Sequence, residues 1–262
     1  MIGALRTPGD GRWHRLALAA LVLAAWAALL TWGTSPYAGL LTHRELASRG
    51  LTPFRLVAFT AGWLLMTIAM MLPSTLPLVN LFGRLVSGRS DRSVLTLDFV
   101  LGYLAVWVTF GIAAFLGDAA LHRAIERSWT FAGLAQWIGT AVLLVAGVYQ
   151  VTPVKDMCLV KCRSPYSFLV EHWRGRQAGR DAFRLGMRHG LFCVGCCWTL
   201  MLLMFAIGGV NLGWMLALAA VMTVEKTSRW GRHLTAPVGL LLVLLAVALV
   251  YRVPLVAAMF GG

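Results

Sequence analysis

Seven apolar stretches, near 16–33, 54–82, 94–117, 132–150, 189–208, 212–225 and 235–251, leave this chain of 262 residues little choice of architecture. A bilayer core takes roughly 20 apolar helical residues per crossing. In hydrocarbon every backbone N–H and C=O must be satisfied, which restricts spanning segments to helices or closed barrels. These stretches are continuously apolar rather than alternating, so they read as helices. Charged residues make up only 13% of the chain, against about 25% in an average soluble domain. The expected fold is therefore all-α: a polytopic transmembrane helix bundle of about seven spans, with the N-terminus cytoplasmic. Residues 1–15 read as a cytoplasmic segment, 16–33 as the first anchor, and 54–251 as the bundle, with a basic cytoplasmic loop at 151–188. Pro73 and Pro77 predict a kink in the second stretch.

The formal net charge is +13, which would suit a nucleic-acid partner if it were concentrated on one surface. It is distributed by topology instead. Arg6, Arg12 and Arg15, then Arg84, Arg89 and Arg92, fall on the side of the N-terminus. So do Lys155, Lys161, Arg163, Arg174, Arg176, Arg180, Arg184 and Arg188, and finally Lys226, Arg229 and Arg232. Arg44, Arg49, Arg55, Arg123, Arg127 and Arg252 fall on the other. Basic loops resist translocation, so the richer side is cytoplasmic. The partner this implies is the lipid bilayer, not nucleic acid, in a membrane crossed several times.

All five cysteines lie on the cytoplasmic side of this topology. Cys158 and Cys162 follow the fourth stretch, and Cys193, Cys196 and Cys197 enter the fifth. A reducing compartment argues against a disulfide framework. At about 100° per residue, His189, Cys193, Cys196, Cys197 and Met204 share one helical face, so their soft or imidazole donors point the same way. Such donors suit Cu(I), and the thiolates and imidazole also suit Zn(II). Three cysteines on adjacent turns cannot enclose an ion alone, which makes Cys158 and Cys162 candidates to complete the set. The alternative is that small Gly195, Cys196 and Cys197 simply allow close helix packing.

In the second stretch Met66 and Met70 are four residues apart, beside Met71, Pro73 and Pro77, and with Met204 they are candidate relay sites. Methionine is also an ordinary gap-filler, which is the competing reading. Asp98 and Glu225 fall near span ends, as charge partners for a cation or as structural anchors to Arg92, Arg188 or Lys226. His43 and His122 read as isolated and solvated. The chain has no phosphate-binding Gly-rich loop, no His-Glu-x-x-His and no Cys-x-x-Cys-His, so no catalysis is expected.

Several stretches together resemble a bacterial family of metal-binding integral membrane proteins, often linked to copper handling. They are Ala69-Met70-Met71-Leu72-Pro73-Ser74, Gly147-Val148-Tyr149-Gln150 through Pro153 and Lys155 to Cys158 and Cys162, and Gly186-Met187-Arg188-His189-Gly190 running into Gly195-Cys196-Cys197-Trp198. Glu225-Lys226 also fits, and the resemblance covers roughly residues 55–245. It implies a soft-metal protein acting as chaperone, buffer or transporter component, with a metal-donor or metal-acceptor protein as partner. Two other functions remain open on the residues: a membrane thiol-disulfide oxidoreductase, and a structural subunit of a membrane complex.

Overall fold

The computed structural model describes residues 10–35, 52–127, 137–206 and 212–251. Most of the expected cytoplasmic segment 1–15, the start of the fourth stretch and the end of the fifth lie outside the described residues. Among the described residues there are ten helices and no strand. They are α1 (Asp10–Gly33), α2 (Pro53–Met70), α3 (Leu72–Leu85), α4 (Arg92–Arg127) and α5 (Ile138–Tyr149). The remainder are α6 (Pro153–Arg163), α7 (Pro165–His172), α8 (Ala178–Ala206), α9 (Leu212–Thr227) and α10 (Gly231–Val250).

Proline explains where several of these begin. Thr52 and Thr152 cap α2 and α6, each accepting a hydrogen bond from the N–H three residues on, with Pro53 and Pro153 in the first turn. Pro73 separates α2 from α3. It has no N–H, so the Ala69 carbonyl loses its helical donor. Trp26 Nε1 on α1 supplies one at 3.1 Å. The expected kink is present, and a neighbouring helix satisfies the carbonyl it frees.

Helix α8 is the centre of the bundle, packed against α4, α5, α6 and α9. Its crossing with α4 is a backbone contact. A Cβ on Gly102 would stand 2.1 Å from the Phe183 carbonyl oxygen, and one on Gly186 would stand 2.0 Å from that of Phe99. Gly147 and Gly239 do the same where α5 meets α10. Small residues at such crossings let helices meet closely without a hydrophobic driving force. Trp63 lies over Gly111 and donates from Nε1 to the Trp107 carbonyl at 2.9 Å, which pins α2 to α4. The outward faces carry Leu23, Val57, Leu101, Leu191 and Leu240, all exposed, as expected of helices that face lipid.

Among the described residues, five helices are long and apolar enough to cross a membrane: Leu16–Gly33, Pro53–Met70, Arg92–Ile125, Ala178–Met204 and Gly231–Val250. A sixth is added if α5 and α6, bent by 64°, form one broken span. The expected count of seven is therefore not reached by length and composition. With the broken span counted, the remaining shortfall is α9, with 16 described residues; without it, α5 falls short as well.

Two further expectations are corrected. The basic stretch 151–188 is not a loop: it holds α6, α7 and the first eleven residues of α8. Basic composition alone could not reveal this, because the long side chains of Lys161 and Arg188 stay at the surface while Leu159, Leu169 and Leu185 are buried. His122 is not isolated, since its Nδ1 lies 3.4 Å from the Asp118 carboxylate one turn earlier. His43 lies outside the described residues.

Candidate functional site

The helical face read from the sequence is turned into the core. Cys193, Cys196 and Cys197 on α8 are each 1% exposed, and His189, one turn before them, is 3% exposed. Because α8 starts at Ala178 rather than near residue 189, the thiols sit near mid-helix, from about 22 Å (Cys193) to about 28 Å (Cys197) from its first residue at a rise of 1.5 Å per residue. Cys196 and Cys197 donate from Sγ to the Cys193 carbonyl, at 3.1 and 2.9 Å.

Helix α6 brings the other two cysteines to the same place. Cys162 Sγ lies 3.9 Å from Cys196 Sγ. Cys158 occupies the space that Gly195 leaves open, since a Cβ there would stand 2.6 Å from its Sγ. The Tyr149 hydroxyl donates to the Gly195 carbonyl and holds α5 to the same turn. All five thiols are free, with Cys158 and Cys162 half-buried. The two cysteine groups thus lie side by side at the crossing of α6 and α8.

The second soft stripe contributes a different residue from those expected. Met66, Met70 and Met204 all pack in or against the core that contains the thiols. The thioether that reaches a thiol is that of Met71, at the α2–α3 junction, 3.7 Å from Cys197 Sγ. Met71 is still helical, with its N–H on the Thr67 carbonyl, so at about 100° per residue it faces away from the stripe of Met66 and Met70.

Of the acidic candidates, Glu225 is an anchor, though to Lys155 and not to Arg92, Arg188 or Lys226. Glu225 forms a buried ion pair with Lys155 at 2.7 Å, joining α9 to α6. Lys155 also donates to Gln150 Oε1, and Arg163 donates to the Glu225 carbonyl. Asp98 is half-buried against Gly179 in the first turn of α8, ten residues before His189. Outside the core, Lys161 donates to Glu171 at 2.6 Å and holds that carboxyl below its usual range, tying α6 to α7.

Sequence reasoning missed two members of the site. Lys226, which reads in the sequence as a loop cation, is 7% exposed, with Nζ 3.0 Å from Cys193 Sγ. Tyr103 on α4 places its hydroxyl 3.1 Å from the same sulfur. A lysine directly after an apolar run is the usual mark of a span end, so nothing in its sequence context sets it apart. His189 makes no such contact. Its ring lies among Phe99, Tyr103 and Phe168, and Nδ1 is buried without a hydrogen-bond partner. Among the described residues, no group of three or more His, Cys, Asp or Glu side chains forms a ready metal-holding set.

A family model described as "PpoB2: Copper chaperone" matches residues 60–249. No curated protein and no solved structure matches the chain.

Proposed function

The chain belongs to the PpoB2 copper chaperone family, and from that premise we propose that it carries Cu(I) on its sulfur cluster as a multi-pass protein of the bacterial inner membrane. The observation that carries this reading is the pair of sulfur separations, 3.9 Å for Cys162–Cys196 and 3.7 Å for Cys197–Met71. With the zinc–thiolate length of about 2.3 Å as a scale, two sulfurs on one ion stand at most about 4.6 Å apart. Both pairs fall inside that span.

The donor chemistry supports Cu(I) over Zn(II). Structural zinc sites are four-coordinate, built from thiolate, imidazole or carboxylate. Neither a third such donor beside Cys162 and Cys196 nor a fourth comes together among the described residues. Cu(I) accepts soft thiolates and thioethers. The half-buried Cys158 and Cys162 would meet the ion first, and Cys196 would pass it to Cys193 and Cys197 by ligand exchange. Each thiol that binds releases its proton, no electron moves, and no catalysis is involved. The distribution of basic residues supports a cytoplasmic N-terminus and a cytoplasmic opening of the site, where a metal-donor or metal-acceptor protein would dock. His189 stays in this reading as a secondary donor, because its buried Nδ1 has no partner.

A second reading, thiol-disulfide exchange, is favoured by one observation, the closeness of Cys162 and Cys196. One comparison separates the two: anaerobic metal titration of the full chain and of a variant with all five cysteines changed to serine, with Cu(I) and Zn(II) each offered against a competing chelator. The expected result is cysteine-dependent Cu(I) binding that Zn(II) does not displace. Equal, weak copper binding by both proteins, with a Cys162–Cys196 disulfide trapped by alkylation in cells, would favour redox exchange instead.

A further inference from the structure

Copper transfer between thiols leaves the buried lysine unexplained. Among the described residues, the acceptors within reach of Lys226 Nζ are all sulfur: Cys193 at 3.0 Å, Met71 at 3.5 Å and Cys197 at 3.8 Å. A buried ammonium normally has a carboxylate beside it. The adjacent Glu225 is instead engaged with Lys155 on α6. A thioether is a weak acceptor and a poor partner for an ammonium. It is a good ligand for Cu(I).

So two thiols from one helix and a thioether from the kink between two others converge on one point, and that point holds a cation. We infer that Cys193, Cys197 and Met71 form the inner Cu(I) seat, and that the Lys226 ammonium fills this seat in the copper-free protein and moves out as the ion enters. The inference rests on the copper-handling reading above and adds to it a third ligand and a built-in competitor. One cation replaces another at the seat: the ammonium keeps its proton, the ligating thiols lose theirs, and nothing is oxidised.

A competitor that occupies the seat about nine-tenths of the time weakens apparent affinity about tenfold.

The test is Cu(I) affinity, measured anaerobically by chelator competition on the full chain in detergent, for the wild type, Met71→Leu and Lys226→Leu. Leucine fills each space without donor or charge. Met71→Leu should weaken binding at least about tenfold, the size that even an outer-sphere partner of a metal commands. Lys226→Leu should tighten it about tenfold, by removing the competitor. An unchanged affinity in Met71→Leu would overturn the inference. So would an unchanged or weaker affinity in Lys226→Leu, because a cation that merely balances thiolate charge would be missed rather than displaced. If Lys226→Leu does not accumulate as a monodisperse protein, Lys226→Gln takes its place. Copper binding lost in the five-cysteine variant but unaltered in both of these would sink the inner seat alone. No cysteine-dependent binding in the wild type would sink the copper reading as well.

Discussion

Glu225→Ala should destabilise the bundle by about 3–5 kcal/mol, because removing one partner of a buried ion pair leaves the other charge buried and uncompensated. Lys155 and Glu225 are 1% and 2% exposed in their side chains. Gln150 Oε1 would remain as an acceptor for the stranded ammonium, but a neutral amide cannot offset its charge. The pair joins α6, which carries Cys158 and Cys162, to α9, which carries Lys226, so its loss should also loosen the site. The double change Lys155→Met with Glu225→Leu should be close to neutral, since a buried pair replaced by apolar side chains of similar volume loses little. Thermal unfolding of the three proteins in one detergent checks this. If the double variant is as unstable as the single one, the loss comes from the missing pair itself and not from a stranded charge.

Cys196→Ser should lower Cu(I) affinity by about 100-fold or more, at the upper end of what changes around a metal site cause. Cys196 stands where the two cysteine groups meet: it faces Cys162 across the α6–α8 crossing and shares a turn of α8 with Cys193 and Cys197. Serine keeps the size but offers a hard oxygen, which Cu(I) binds poorly. Cys162→Ser should match it. Cys158→Ser should have a smaller effect, because the contact made by that side chain is packing into the gap at Gly195. A flat series, with all three variants alike, would mean that the α6–α8 crossing is not the metal path.

The periodicity that puts His189, Cys193, Cys196 and Cys197 on one helical face is a local property, legible in the sequence, and the core simply receives that face. The meeting of Cys158 and Cys162 with the α8 cysteines depends on how α6 packs against α8, which no local pattern reveals. The helical nature of 151–188 is hidden by charge, because long basic side chains keep their heads at the surface while their helix buries Leu159 and Leu185. Met71 falls outside the face shared by Met66 and Met70 at helical spacing, and which face meets α8 is decided by tertiary packing. Lys226 is hidden because a lysine after an apolar run usually marks a membrane boundary, and only tertiary packing reveals three sulfurs around its Nζ. The partner of Glu225 depends in the same way on where the bend at Pro153 sends α6.

Every copper prediction made for this protein depends on the ion sitting on sulfur at the junction of α6, α8 and the α2–α3 kink. X-ray absorption at the copper edge, on the Cu(I)-loaded full chain, reads that ligand shell without an intermediary. The expected spectrum is a Cu(I) edge with a nearest shell dominated by sulfur, about three scatterers, one of them lost in Met71→Leu. A nearest shell dominated by nitrogen or oxygen, unchanged by the cysteine and methionine substitutions, would contradict it.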